Sequence, residues 1–141
     1  MHTSNLNLKE VTKSDCPFLY EILSERESTT NISHREMPTY ENHIKFVMSK
    51  PYSKWYIILY DKKKIGSIYL SKQDEIGIFI KKGMQGRGIG MKALKILMDT
   101  HPRKRFLANI SPRNKKSMQF FKKNGFKLIQ YTYEFISPNK K

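Results

Sequence analysis

Residues 76–97 read IGIFIKKGMQGRGIGMKALKIL, and the order of their parts decides the fold. A short apolar run at 76–80 passes through three glycines (Gly86, Gly88, Gly90) into apolar positions spaced as on a helix. Each glycine costs conformational order, and one or two suffice to turn a chain. Three at alternate positions, opening straight onto a helix, imply that something approaches the backbone closely. Such a bend points backbone N–H groups outward at a helix N-terminus, where the macrodipole favours an anion. Arg87 and Lys92 add positive charge beside it. One phosphate loop is excluded and a second fits poorly. No Gly-Lys-Ser/Thr follows the glycines, as a nucleotide P-loop requires. A Rossmann fingerprint belongs early in a parallel βαβ unit, whereas the segments before this bend read as an antiparallel meander. On these residues alone a plain glycine turn stays open.

Upstream of the bend, residues 54–61 (KWYIILYD) and 63–72 (KKIGSIYLSK) read as a hairpin turning at Asp61-Lys62-Lys63. Residues 74–82 (DEIGIFIKK) add a third strand after a turn around Gln73. Further back, 5–11 (NLNLKEV) alternates like a half-buried strand. Residues 14–28 offer Ser14 as N-cap and Pro17 in the first turn of a helix with Phe18, Leu19, Ile22 and Leu23 inward. A second helix over 39–50 starts at Thr39, with Ile44, Phe46, Val47 and Met48 as its core stripe. Downstream, Ala93, Leu94, Ile96 and Leu97 line one face of a helix ended by Pro102. A short strand (105–111, RFLANIS), a helix from Asn114 to just before Gly125, and a closing strand (126–136, FKLIQYTYEFI) complete the chain. The order is β-α-α-β-β-β-α-β-α-β, an α/β (α+β) mixed sheet with helices on its faces.

A length of 141 residues fits one domain spanning 1–141, with 38% hydrophobic and 12% aromatic residues as in a folded soluble protein. No apolar run has the length of a membrane span, and MHTSNLNLKEV lacks the layout of a signal peptide, so the expected location is cytoplasmic. Cys16 is the single cysteine and the four histidines are scattered, so no metal is expected. The net charge is +15, from 27 Lys+Arg against 12 Asp+Glu. Such a field attracts polyanions, but the lysines are spread along the chain and no basic-aromatic motif stands out. Nucleic acid and membrane are therefore not the expected partners.

A second motif gives the bend its meaning. Residues 109–127 (NISPRNKKSMQFFKKNGFK) hold Asn114, Ser117, Phe121 and Gly125-Phe126. With Gln85-x-x-Gly88-x-Gly90 after a meander, they resemble the GCN5-related N-acetyltransferase (GNAT) family over nearly the whole chain. The branch resembled includes ribosomal-protein N-terminal and amino-sugar acetyltransferases. The resemblance implies acetyl-CoA as acetyl donor and no metal. It implies pyrophosphate contacts at Gln85, Gly86, Arg87, Gly88, Ile89, Gly90 and Met91, and backbone contacts to the pantetheine arm from Ile78, Phe79 and Ile80. Further cofactor contacts fall to Asn114, Ser117 and Phe121, with Asn114 also read as a helix cap.

The catalytic residues follow less directly. Glu75, just ahead of the strand, is the first candidate general base, with a solvated hairpin end as the other reading. Many family members carry tyrosine where this chain has Phe121, so the proton for the leaving thiolate is assigned to Tyr131 or Tyr133, or to water. His34, Arg35 and Tyr40 are the candidate acceptor-binding residues. The function implied is acetyl transfer to a primary amine of a small molecule such as an amino sugar nucleotide. A protein N-terminus is the alternative acceptor, a non-catalytic acyl-CoA-binding module the alternative of another class, and the chain is a monomer or homodimer.

Overall fold

The computed structural model describes residues 5–25 and 37–138. Four strands, β1 (Leu6–Glu10), β2 (Lys54–Tyr60), β3 (Lys63–Leu70) and β4 (Ile76–Ile80), form an antiparallel sheet in the order β1-β2-β3-β4. Tyr60 pairs with Lys63, so the first hairpin closes on Asp61-Lys62 alone. Both residues have positive φ (50° and 67°), the twist-matching geometry of a two-residue hairpin turn. Lys63 thus belongs to the strand alone and not to the turn.

Neighbouring side chains on β2 enter different cores because strand residues alternate between faces. Ile57 packs with Cys16, Leu19, Ile22 and Val47 beneath α1 (Cys16–Ser24) and α2 (Tyr40–Met48). Ile58 packs with Ile68, Leu70, Ile76, Ala93, Leu94, Leu97 and Phe121, beneath α3 (Ile89–Thr100) and α4 (Lys115–Lys123). Two apolar layers on one sheet give the mixed α/β architecture expected.

Local departures have physical causes. Ser14 does not cap α1: a 3₁₀ turn over Lys13–Asp15 intervenes, with Thr12 before it and Asp15 at the N-cap of the helix. The Asp15 carboxylate sets this arrangement by accepting from the Thr12 amide (2.8 Å) and hydroxyl (3.2 Å). On α2, Thr39 caps as expected, accepting from the Asn42 amide at 3.1 Å. The buried residues there are His43 and Val47, one helical turn apart, whereas Phe46 and Met48 are exposed. Phe46 instead meets the Tyr52 and Trp55 rings edge-on.

The last two strands differ most. Residues 105–111 touch the sheet at a single parallel bridge, Glu75 with Leu107. The Ile76 N–H donates to the Leu107 carbonyl (2.7 Å) and the Leu107 N–H to that of Asp74 (2.9 Å). The ladder then stops, and further along β4 the Ile80 carbonyl accepts instead from the Gln85 side chain (3.1 Å). Residues 126–136 pair with no strand among the described residues. After α4, Gly125 (φ 93°) donates to Lys122 and Phe126 to Phe121, the Schellman closure that ends a helix and redirects the chain.

Candidate active site

The glycine bend begins where β4 ends. Its entry is tied down by the Met84 N–H to the Lys81 carbonyl (3.1 Å), the Gln85 side chain to Ile80, and the Lys82 N–H to Oε1 of Glu25, the C-cap of the first helix (3.1 Å). Gly86 and Gly88 have φ of 79° and 76°, and a Cβ on either would meet nothing within 4 Å. Glycine is needed there for the left-handed backbone, with open space in front. Gly88 is the N-cap of α3, no side chain caps the helix, and its first turn holds no acidic residue. A helix leaves its first N–H groups without internal partners. Those of Ile89, Gly90 and Met91 are therefore offered outward with the helix dipole behind them, beside exposed Arg87. The arrangement fits a diphosphate.

Gly90 does a different job. A Cβ there would stand 3.1 Å from the Phe120 ring and 3.9 Å from Ile78 Cδ1. It lets α3 close against α4 and β4. Phe120, Ile78 and Gly90 thus meet where three elements converge, next to the loop.

β4 carries an open edge leading to this point. The Glu75 carbonyl accepts from Ser71, and the Lys81 N–H donates to Ile65, both toward β3; the Ile76 N–H points the opposite way, to Leu107. Because strand groups alternate, Ile78 and Ile80 present their amides to the gap that opens beyond Leu107. Phe79 pairs with Ser67 on the closed side. Gly77, also on β4, lies under the Tyr69 ring, which any Cβ would strike; Tyr69 stacks on Tyr52 at 3.8 Å.

Glu75 stands at the closed end of the gap. Its Oε1 accepts from the Ser71 hydroxyl (3.1 Å) and its Oε2 from Asn109 Nδ2 (2.9 Å). The side chain is half-buried and held by two donors, which settles its orientation. Sequence reading missed Ser71 and Asn109. Ser71 lies four residues from Glu75, but Asn109 lies 34 residues away, and no local pattern signals that contact.

Among the other expected residues, Asn114 caps α4, its side chain accepting from the Ser117 amide at 3.1 Å. Phe121 is buried, flanked by Phe120 (5.1 Å) and Phe126 (5.0 Å). Tyr131 and Tyr133 are 75% and 91% exposed, and no hydrogen bond or ring contact ties either to β4. Tyr40 packs edge-on to Tyr20 (5.1 Å) at the junction of α1 and α2. His34 and Arg35 lie outside the described residues.

Among the described residues, the strongest ionisation shift lies away from this gap. Burial raises the pKa of Asp15, but hydrogen bonds from Lys64, Lys9 and Thr12 outweigh it and bring it down to about 2. Both lysines stand 2.7 Å from the fully buried carboxylate. Shifted groups accompany both function and structure; here the ion cluster clamps β1 and β3 to the start of α1. No helix among the described residues is long and apolar enough to cross a membrane.

No curated protein sequence matches the chain. Among solved structures, a domain from Methanocaldococcus jannaschii superposes with a TM-score of 0.78 at 23% identity, covering 94% of both chains. A Salmonella typhimurium acetyltransferase that modifies the N-terminal serine of ribosomal protein L7/L12 gives 0.69 at 20%, over 89% of this chain and 81% of that one. A ribosomal L7/L12 α-N-protein acetyltransferase in complex with coenzyme A gives 0.72 at 20%, over 92% and 83%. At these identities the likeness is one of fold. The family described as "Acetyltransferase (GNAT) domain" matches residues 5–127, the span that holds the bend, the open strand edge and the capped fourth helix, and the chain belongs to that family.

Proposed function

We propose that this chain transfers the acetyl group of acetyl-CoA directly to a primary amine, the acceptor being a small molecule such as an amino sugar nucleotide. The observation that carries the reading is the pairing of an uncapped α3 N-terminus at Gly88 with an open β4 edge at Ile78. When bound, acetyl-CoA supplies the acyl group as an activated thioester. Amides from Gly86 to Met91 hold the diphosphate, with Arg87 beside them. Ile78 and Ile80, with Phe79 between them, line the gap for the pantetheine arm, and Asn114, Ser117 and Phe121 support its wall from α4. The Ile78 N–H is the donor available to the acyl oxygen.

Glu75 then has a defined task. Through a water, it accepts the proton that the amine loses as its nitrogen bonds the acyl carbon and the carbon–sulfur bond breaks. Phe121 has no hydroxyl to return a proton to the sulfur, so Tyr131, Tyr133 or solvent supplies it. His34, Arg35 and Tyr40 are assigned to the acceptor side. The net charge of +15 favours an anionic acceptor over a polycation. A protein N-terminus is the second acceptor to test, because ribosomal L7/L12 acetyltransferases share the fold.

The experiment is an amine panel with acetyl-CoA, read by free-thiol release. It includes amino sugar nucleotides and peptides with free N-termini. Glu75→Gln is expected to lower kcat about a hundredfold, with acetyl-CoA affinity unchanged. Normal turnover by that variant removes Glu75 from the mechanism. Tight acetyl-CoA binding without thiol release on any amine would instead indicate a binding module.

A further inference from the structure

We propose that the outer face of α4 binds the phosphodiester backbone of a nucleic-acid duplex through Lys115, Lys116, Lys122 and Lys123. The proposal concerns a partner other than the acetyl donor and does not depend on acetyl transfer.

Lysines are spread along the chain, but acids are not. From residue 100 to residue 133 there are nine Lys and Arg and no Asp or Glu. So long a block of one sign within a folded domain is the electrostatic footprint of a polyanion site. Ahead of this block the chain pairs several of its cations. Lys9 and Lys64 hold Asp15, Lys81 meets Glu21, and Lys95 meets Asp99. Arg103, at the start of the block, meets Asp74. Among the described residues, no ion pair involves the four lysines of α4.

The helix gathers this charge onto one side. At about 100° per residue, Lys115, Lys116, Gln119, Lys122 and Lys123 fall within an arc of about 120°. All five are exposed. Phe121 is buried on the opposite face, and Phe120 packs where Gly90 admits it. The lysines stand in two rows, Lys115 with Lys122 and Lys116 with Lys123. Each row runs about 10 Å along the axis, the length of about three phosphates on one strand of a duplex. Exposed Arg113 and Lys127 extend the surface beyond both ends.

The placement also has a cost. Lys115 and Lys116 occupy the first turn of α4, which holds no acidic residue. There the positive end of the helix dipole disfavours a cation. A bound anion over the face offsets that repulsion.

The chemistry of the face selects among polyanions. Lysine is depleted at protein–protein interfaces, and the arc holds no aromatic or aliphatic anchor for an acidic protein. A membrane-surface helix turns its apolar face to lipid, whereas that of α4 is turned into the core. A single strand needs aromatic rings on which its bases stack, and the arc holds none. Duplex phosphates need cations and hydrogen-bond donors alone, which the lysines and Gln119 supply.

Fluorescence anisotropy of the full chain with a labelled RNA duplex and a DNA duplex of the same sequence tests the proposal. Both are expected to bind within a few-fold of each other, with affinity falling steeply as salt rises. The variant Lys115→Gln/Lys116→Gln/Lys122→Gln/Lys123→Gln is expected to lose about a hundredfold or more at low salt. Its slope of log affinity on log salt should be smaller by about four, one for each phosphate contact removed. Glutamine preserves helix propensity, so the far-UV spectrum and acetyl-CoA affinity should match wild type. The control Lys13→Gln/Lys45→Gln/Lys63→Gln/Lys72→Gln removes the same charge from exposed positions off this face and should cost only a few-fold. Equal losses in the two variants overturn the proposal, because net charge alone would then explain the binding. So does the absence of duplex binding at low salt, or binding to only one of the two duplexes. A parallel loss of acetyl-CoA affinity would give the lysines to the cofactor and overturn it as well. Capture of polyglutamate or phosphatidylserine vesicles in preference to duplex would do the same.

Discussion

The starts of α3 and α4 both carry signature residues, yet they treat their free backbone donors in opposite ways. At α4 the Asn114 side chain turns back and accepts from the Ser117 amide. At α3 the N-cap is Gly88, no side chain returns, and the space in front is open. Where the chain quenches its own helix dipole it spends a polar side chain. Where it leaves the dipole for a ligand it uses glycine, which gives the left-handed turn without obstructing the approach. The start of α1 makes a third case, in which the charge of Asp15 is quenched by two lysines and Thr12.

The largest test of this contrast is Gly88→Glu. It places bulk and negative charge where the α3 amides point, and φ of 76° strains any side chain there. Acetyl-CoA affinity should fall about a hundredfold or more, roughly the 2.7 kcal/mol of two decades, by calorimetric titration. Unchanged affinity would break the contrast at its centre. Next comes Asp15→Asn, which leaves a buried site without its charge and should cost about 2 kcal/mol in urea unfolding at neutral pH.

Acid adds a signature to that variant. The folded pKa of Asp15 is depressed from 3.8 to about 2, so between these values the unfolded chain binds more protons. Its contribution is present above pH 3.8 and is lost as pH falls through about 2. The gap between wild type and Asp15→Asn should close over that window. A gap independent of pH would mean that the carboxylate charge is not what clamps α1.

Asn114→Ala should cost about 1 kcal/mol of stability, the usual worth of a cap, and Asn114→Asp should restore it. A far larger loss of acetyl-CoA affinity than of stability would show that this start, too, serves the ligand. The smallest effect is expected from Gly90→Ala. Its Cβ would crowd the Phe120 ring at 3.1 Å, costing under about 1 kcal/mol by slight overpacking and leaving affinity within a few-fold. A loss as large as that of Gly88→Glu would place Gly90 with the ligand-facing glycines.

Much of this was legible in the chain. The meander, the bend at 85–91, the Thr39 and Asn114 caps and the Gly125 stop are local events, written in periodicity and cap chemistry within a few residues. The division of labour among the glycines was not. Only packing shows that Gly86 and Gly88 face open space while Gly90 faces Phe120. The stripe on α2 misled for a similar reason, since Phe46 finds Tyr52 and Trp55 outside the core.

By itself the sequence determined the order of the helices and of the four paired strands, and the place where a helix would begin on glycine. The tertiary structure decided where pairing stops, namely after Leu107, where the edge of β4 is left open. It also decided that Ser71 and Asn109 would hold Glu75, and that residues 127–136 would pair with no strand among the described residues. The physical reason is range. Alternation and capping energies act between residues a few positions apart, whereas a hydrogen bond from Asn109 to Glu75, or the single bridge of Leu107 to the edge of β4, depends on which distant segment the packed core brings near.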